Sequence, residues 1–136
     1  MARKILITGC SGSGKTTLAT PFARLINGIL LESDQIRQYS DPASETELSQ
    51  AYRLCLISDG IILAGKVAVI VHNCATNQEL DIINPDYVVW MDTIKDPGFD
   101  FEVPARVNYH VSAWFDDTHQ QLFEVVHHYL NEQFKE

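Results

Sequence analysis

Basic residues are scarce in this chain. Lys and Arg together number 10 against 18 Asp and Glu among 136 residues, and the formal net charge at pH 7 is −8. The basic residues are also scattered, whereas a protein that follows a nucleic-acid backbone usually carries a basic stripe. We therefore expect no long nucleic-acid tract as a partner. A local phosphate pocket is compatible with this charge, because two or three cations and a set of backbone amides are enough to form one.

Long apolar runs and paired cysteines are lacking as well. No run of 18 apolar residues occurs, so we expect no membrane span and no membrane partner. Residues 1–4 precede the first apolar stretch without the apolar core and cleavage site of a signal peptide. The three cysteines show no Cys-x-x-Cys spacing, which argues against a disulfide framework or a zinc site. These features predict a cytoplasmic protein.

Apolar residues make up 46% of the chain, which is enough for a core of normal size, and the length predicts one domain over residues 1–136. Strand-like and helix-like patterns alternate, which is typical of an α/β fold with helices on both faces of a parallel sheet. We predict strands at residues 4–8, 29–32, 67–71, 87–91 and 107–111, and helices at residues 15–26, 35–39, 44–64, 77–83 and from 118 onward.

Residues 9–16 read Gly-Cys-Ser-Gly-Ser-Gly-Lys-Thr and match the G-x-x-x-x-G-K-[ST] phosphate loop at every specified position. An apolar strand pattern precedes the loop and a helix start follows it, and this order builds an anion site from backbone amides and the helix dipole. We predict that Lys15 reaches the β- and γ-phosphates of ATP and that the Thr16 hydroxyl holds Mg²⁺. A Gly/Ser-rich turn that merely carries a lysine is the alternative. The predicted nucleotide-binding residues are Gly9, Ser11, Gly12, Ser13, Gly14, Lys15, Thr16 and Thr17.

A second polar segment, Glu32-Ser33-Asp34-Gln35-Ile36-Arg37, directly follows the second predicted strand. Ligands of open parallel sheets bind beyond the carboxyl ends of the strands. A carboxylate at Asp34 suits the activation of an acceptor hydroxyl, and Arg37 suits a clamp on an anionic group of that acceptor. Together with Lys15, these are the predicted catalytic residues. An ordinary helix start, with Asp34 as its cap and Arg37 in solvent, is the alternative.

Three segments together resemble the landmarks of adenylylsulfate kinases: residues 9–17, residues 33–37, and Phe101-Glu102-Val103-Pro104. The run from Val88 to Thr93 is also similar to the fourth strand of that family. The resemblance covers most of the chain in order and spacing. It implies a P-loop NTPase fold, with a five-stranded parallel sheet in the order 2-3-1-4-5. It also implies transfer of the γ-phosphate of ATP to the ribose 3′-hydroxyl of adenylylsulfate, a small anionic nucleotide-like acceptor. Asp34 would correspond to the second acid of the family motif, and Arg37 to the arginine that binds the acceptor.

The chain departs from the family pattern at two places. Glu32 stands where the family has its first aspartate, so the role of base is shared between Glu32 and Asp34, and both join Thr16 as predicted Mg²⁺ ligands. The basic lid between the fourth and fifth strands shrinks to residues 93–100 and offers only Lys95. Such a lid stabilises charge in the transition state. Because a second subunit could supply the missing cation, a homodimer is kept as an alternative.

Two other functions stay open at this point. The Asp-x-x-Arg spacing is shared with polynucleotide kinases, so the acceptor could be a polynucleotide 5′-hydroxyl or a nucleoside. The reduced lid would also suit a nucleotide-binding module without catalysis. Among weaker signals, Asp92 is either a Mg²⁺ ligand or a carboxylate that caps a strand. His72 and Asn73 either bind the acceptor or serve structure, and His110 has no evident partner.

Overall fold

Strands and helices alternate along the chain, as the apolar pattern predicts. The computed structural model describes residues 3–10, 12–37, 47–73, 76–94, 102–113 and 118–133, with Arg37, Glu47, Thr118 and His119 described by their backbone alone. In chain order the elements are β1 (Lys4–Gly9), α1 (Lys15–Leu25), β2 (Ile29–Glu32), α2 (Ser33–Arg37), α3 (Glu47–Leu63), β3 (Ala68–Val71), α4 (Asn77–Ile83), β4 (Tyr87–Met91), β5 (Tyr109–Val111) and α5 (Thr118–Gln133).

The strands form one parallel sheet in the order β2-β3-β1-β4-β5. This confirms the predicted α/β fold class and strand order. All six residues of β1 are buried, as expected of the central strand of a sheet that is covered on both faces. Within the described ranges, no helix combines the length and the apolar character that crossing a bilayer requires.

Successive residues of the central strand belong to two different core layers. Ile5 and Ile7 pack in a cluster with residues of α1 and α5, such as Phe22 and Tyr129. Leu6 packs in a second cluster with residues of α3 and α4. Side chains alternate across a strand, so one apolar run supplies both layers.

The strand register brings the carboxyl ends of the strands to one edge of the sheet. Val71 of β3 pairs with Glu32 of β2 on one side and with Ile7 of β1 on the other. Gly9, at the end of β1, pairs with Met91 of β4. The loop after β1 and the polar segments after β2 and β3 are therefore neighbours.

The fifth strand is shorter than predicted, since it begins at Tyr109 rather than at residue 107. The physical reason lies in Asn108. Its backbone N–H donates to the carbonyl of Val88 at 2.9 Å, and its side-chain Oδ1 accepts from the N–H of Val88 at 2.8 Å. A side chain thus takes the place of a backbone carbonyl, and regular pairing starts one residue later.

Candidate functional site

The loop between β1 and α1 has the backbone geometry of an anion cradle. Gly12 and Gly14 adopt positive φ angles of 81° and 95°, a region that favours glycine. The N–H of Ser13 donates to the carbonyl of Cys10 at 3.1 Å and closes a turn. Gly14 is the N-cap of α1 and has no side chain that could cap the first-turn N–H groups of this helix. Those amides are therefore left for an anion.

Gly9 and Ser13 support the loop from behind. A Cβ at Gly9 would lie 2.6 Å from the carbonyl oxygen of Met91 and 2.6 Å from the Oγ of Ser13. Ser13 is fully buried, and its carbonyl accepts a hydrogen bond from the hydroxyl of Thr93 at 2.7 Å. Neither residue is among those that line the adjoining cleft, and their contact with a nucleotide stays a prediction. Ser11, also predicted to bind nucleotide, lies outside the described residues.

A cleft of about 330 Å³ opens in front of the loop, within the size range of small-molecule sites. The phosphate loop and the predicted acidic pair share it, although Thr16 and Glu32 are 16 positions apart in the sequence. Their meeting follows from the parallel register, which aligns the ends of neighbouring strands. The cleft is lined by Gly12, Gly14, Lys15, Thr16, Thr17, Glu32, Ser33, Asp34, Val71 and Asn73.

Lys15 is half-buried at the floor of this cleft. Its Nζ donates to the backbone carbonyl of Cys10 at 2.8 Å. Burial lowers the pKa of the Lys15 ammonium, and the nearby Cys10 and Asp34 side chains partly offset this effect. Asp34 is therefore close enough to Lys15 to act on its charge across the cleft.

The two carboxylates differ in their surroundings. Asp34 is exposed in the first turn of α2, whereas Glu32 is half-buried at the end of β2. The Oε1 of Glu32 is buried and has no hydrogen-bond partner among the described residues. A buried carboxylate oxygen without a partner is unfavourable by a few kcal/mol, roughly 1–3 or more. This oxygen is consequently suited to receive a cation or a donor from a ligand.

The donor set of the cleft fits Mg²⁺. Thr16, Glu32 and Asp34 all line it and offer a hydroxyl and two carboxylates, the hard oxygen ligands that this ion prefers. In the part of the chain that the structure describes, no group of three or more His, Cys, Asp or Glu residues forms a ready-made metal cage. That also suits Mg²⁺, which usually keeps several waters and binds through one or two carboxylates together with phosphate oxygens.

The start of α2 is held by a residue that the sequence analysis missed. Gln50 of α3 is fully buried, and its Nε2 donates to the carbonyl of Ser33 at 2.6 Å. Ser33 lies between the two acids, so this bond fixes the backbone that carries them. The only signal in the sequence was a polar residue on the apolar face of a helix. Arg37 ends α2, and its side chain is outside the described part of the structure.

A buried polar network stands behind the end of β3. The Nε2 of His72 lies 3.0 Å from the Oε1 of Glu79, and both side chains are almost completely buried. Glu79 also forms a capping box with Thr76, whose N–H and hydroxyl donate to Oε2 at 3.0 and 3.1 Å. Burial opposes ionisation of Glu79, yet the bonds from His72 and Thr76 prevail and lower its pKa. His72 thus has a structural partner, whereas Asn73 faces the cleft.

His110, for which the sequence shows no evident partner, has two partners in the structure. Its Nε2 lies 2.9 Å from the Oδ2 of Asp92, and its ring stacks on Trp90 with centroids 4.4 Å apart. Trp90 and His110 lie side by side because β4 and β5 pair in parallel with these two residues in register. Asp92 is not among the residues that line the cleft, which favours its alternative as a strand-end carboxylate.

The segment that resembles the third landmark docks onto the start of α4. The carboxylate of Glu102 accepts from the N–H of Asn77 at 2.7 Å. The Asn77 amide in turn accepts from the N–H of Ala105 at 2.7 Å and donates to the carbonyl of Val103 at 3.2 Å. These contacts give the described part of the landmark a structural role. Phe101 and the predicted lid residues 95–100 lie outside the described ranges.

No family model matches the chain, and no curated protein matches it either. Solved structures do share its fold. An APS kinase from Mycobacterium tuberculosis, solved with AMPPNP and APS, has a TM-score of 0.77 at 16% identity, covering 95% of this chain and 98% of that one. A sugar kinase from Janibacter sp. has a TM-score of 0.71 at 18% identity, covering 96% and 95%. A shikimate kinase from Acinetobacter baumannii, in complex with shikimate, has a TM-score of 0.65 at 16% identity, covering 99% and 97%. At such identities these likenesses show the fold, which is that of P-loop kinases.

Proposed function

We propose that this protein is an ATP-dependent kinase that transfers the γ-phosphate of ATP to a hydroxyl of a small acceptor. One observation carries the proposal: a single cleft joins a phosphate loop, with its lysine, to two carboxylates, Glu32 at the end of β2 and Asp34 at the start of α2. Phosphoryl transfer needs little covalent chemistry from the protein and depends on positioning and on charge stabilisation. A cleft with a cradle on one side and acids on the other meets both needs.

The loop side is proposed to bind the triphosphate. The first-turn amides of α1 and the glycines of the loop surround the phosphates, and Lys15 exchanges the carbonyl of Cys10 for β- and γ-phosphate oxygens. The shared fold with an APS kinase that was solved with AMPPNP supports ATP as the donor. Thr16, Glu32 and Asp34 would hold Mg²⁺, which, when bound, neutralises the charge that develops on the phosphates.

The strand-end side is proposed to hold the acceptor. Asp34 is exposed in the cleft, so its carboxylate is free to approach an incoming hydroxyl and accept its proton. Glu32, whose Oε1 is buried, is better placed for the metal than for proton transfer. We therefore assign the base to Asp34. Arg37, which follows in α2, is proposed to clamp an anionic group of the acceptor.

Adenylylsulfate is the acceptor that we propose first. The three landmark segments of the sequence support it, and so does the fold shared with an APS kinase whose structure contains APS. The acceptor would then be phosphorylated on its ribose 3′-hydroxyl. The homodimer and the cytoplasmic location stay predictions.

An acceptor panel tests the proposal. The purified protein is incubated with Mg²⁺, γ-labelled ATP and one acceptor at a time: adenylylsulfate, adenosine or a short oligonucleotide with a 5′-hydroxyl. We expect label in the product with adenylylsulfate and none with Lys15→Ala, while Lys66→Ala, at an exposed position outside the cleft, matches the wild type. AMPPNP binding is measured in parallel by calorimetry. Binding without a labelled product from any acceptor would overturn the kinase and favour a nucleotide-binding module.

A further inference from the structure

We infer that Asn73 recognises a second hydroxyl of the acceptor, so that the substrates of this cleft are vicinal diols. The inference rests on the proposed kinase activity and specifies the acceptor class of that same site. It is carried by the position of Asn73 in the sheet, by the kinds of hydrogen-bonding groups in the cleft, and by the rigid backbone that presents this side chain.

Asn73 lies between the two functional sides of the cleft. It follows β3, which is flanked by β2 and β1 in the sheet. The acidic segment follows β2 and the phosphate loop follows β1, and neighbouring strands are only about 4.8 Å apart. Val71, two residues before Asn73, is the register partner of Glu32. Asn73 is thus adjacent to the point where the acceptor hydroxyl would meet the γ-phosphate.

Asn73 brings an exposed side-chain amide to this cleft, whose other polar side chains are hydroxyls, the Lys15 ammonium and two carboxylates. The carboxylate oxygens of Glu32 and Asp34 serve as acceptors on the strand-end side. Asn73 is uncharged and exposed there, and its amide offers donors and an acceptor together. A hydroxyl group likewise donates one hydrogen bond and accepts others. An acceptor whose attacked hydroxyl is bonded to Asp34 therefore finds in Asn73 a partner for the hydroxyl on the adjacent carbon.

The backbone that carries Asn73 is fixed from behind. The preceding residue, His72, is buried and bonded to Glu79, which is in turn held by the Thr76 capping box. The N–H of His72 also donates to the carbonyl of Ile7 at 3.3 Å. A polar side chain on such a support is pre-organised, which is what recognition of a single hydroxyl requires. Because Asn73 itself is exposed, its substitution alters the cleft and spares the core.

The test compares matched acceptors that differ by one hydroxyl. Adenylylsulfate is paired with its 2′-deoxy analogue, adenosine with 2′-deoxyadenosine, and glycerol with propane-1,3-diol. For the pair that the wild type phosphorylates, we expect kcat/KM to be at least about 10-fold higher for the vicinal diol, since a site built to bond a hydroxyl rejects the analogue that lacks it. In Asn73→Ala this preference should vanish, through a loss on the diol alone. Asn131→Ala, on the exposed face of α5, is the matched control.

Each outcome of this comparison either supports the role of Asn73 or overturns it. Equal transfer to both members of the pair by the wild type overturns the inference, and so does a preference that survives in Asn73→Ala. A higher KM for ATP with an unchanged preference would assign Asn73 to the nucleotide instead. Asn73→Leu, which keeps about the same side-chain size and removes both the donor and the acceptor, should also lose the preference; thermal unfolding verifies that both variants are folded. If the wild type phosphorylates no acceptor at all, the kinase proposal itself fails, and this result is distinct from the others.

Discussion

The ammonium group of Lys15 donates a hydrogen bond of 2.8 Å to the backbone carbonyl of Cys10, five residues earlier in the same loop. The N–H of Ser13 donates to that carbonyl as well, at 3.1 Å. The carbonyl oxygen of Cys10 thus accepts hydrogen bonds both from the lysine and from the turn that shapes the loop. Lys15 can leave this carbonyl for phosphate oxygens without disturbing the turn, because the bond from Ser13 remains.

As pH rises, the affinity for nucleotide should begin to fall at a lower pH than it would if Lys15 had the pKa of an ordinary lysine. Burial lowers the pKa of Lys15 below its usual 10.5, so the free protein loses this positive charge earlier as pH rises. Calorimetric titration with Mg²⁺ and AMPPNP across the alkaline range measures the effect. Lys15→Arg keeps its charge throughout and should show no such decline, whatever its absolute affinity. A wild-type decline that begins only above pH 10.5 would contradict the prediction.

Asp34→Asn should spare ATP binding and remove transfer. The amide keeps the shape of the side chain but cannot accept the proton of the acceptor hydroxyl, and general-base catalysis typically contributes about 10²–10⁴-fold. We expect kcat to fall by about that factor while the Kd for AMPPNP, measured without Mg²⁺, changes little. Asp81→Asn, at an exposed position on α4, serves as the control for the loss of one negative charge. Unchanged transfer in Asp34→Asn would refute the role of Asp34.

Glu32→Gln should raise the Mg²⁺ requirement of the reaction without lowering the stability of the fold. The Oε1 of Glu32 is buried and has no partner among the residues that the structure describes, so removing its charge should leave the free energy of unfolding unchanged or raise it when no nucleotide is present. The same change weakens a proposed Mg²⁺ ligand, and the Mg²⁺ concentration for half-maximal transfer should rise several-fold. Urea unfolding and a Mg²⁺ titration measure the two effects. A lower stability together with an unaltered Mg²⁺ requirement would show that Glu32 is not a Mg²⁺ ligand.

The strands and the phosphate loop could be predicted from the sequence because their signals are local. A short apolar run bounded by turn residues is typical of a strand, and the glycines at positions 12 and 14 mark the places where the backbone has positive φ angles. The capping box at Thr76 has a local signal too, since Thr and Glu stand three residues apart, but only the helix at residues 77–83 was predicted and not its cap. The sheet order came only through the resemblance, because register and neighbours depend on the whole chain.

Polar pairs between elements could not be predicted in this way. Gln50 was visible as a polar residue in an apolar helix, but nothing local indicates that it bonds the carbonyl of Ser33, 17 residues away. His110 and Asp92 meet only because β5 pairs with β4 at one register. In each case the residue types were informative, while the partner was decided by tertiary packing.

Gly9→Ala should destabilise the protein, and Gly60→Ala should not. A Cβ at Gly9 would approach the carbonyl of Met91 and the Oγ of Ser13 to 2.6 Å, so strand β4 or the loop has to shift, at about 1–3 kcal/mol. A Cβ at Gly60 meets no described atom within 4 Å and replaces a poor helix former in α3, which should add about 0.5–1 kcal/mol. Urea denaturation of the two variants provides the comparison. Equal stabilities would mean that β4 does not pack against Gly9 as closely as described.

Acid should destabilise the fold through Glu79. Bonds from His72 and Thr76 hold the folded-state pKa of this carboxyl below its usual 4.5. The unfolded chain therefore takes up the proton first as pH falls, so Glu79 contributes stability above about pH 4.5 and loses it as pH drops through the folded-state value. Glu79→Gln should flatten the fall in unfolding free energy below pH 4.5, whereas Asp81→Asn, exposed on the same helix, should retain the wild-type slope. An identical acid slope in wild type and Glu79→Gln would show that the His72–Glu79 pair does not stabilise the carboxylate.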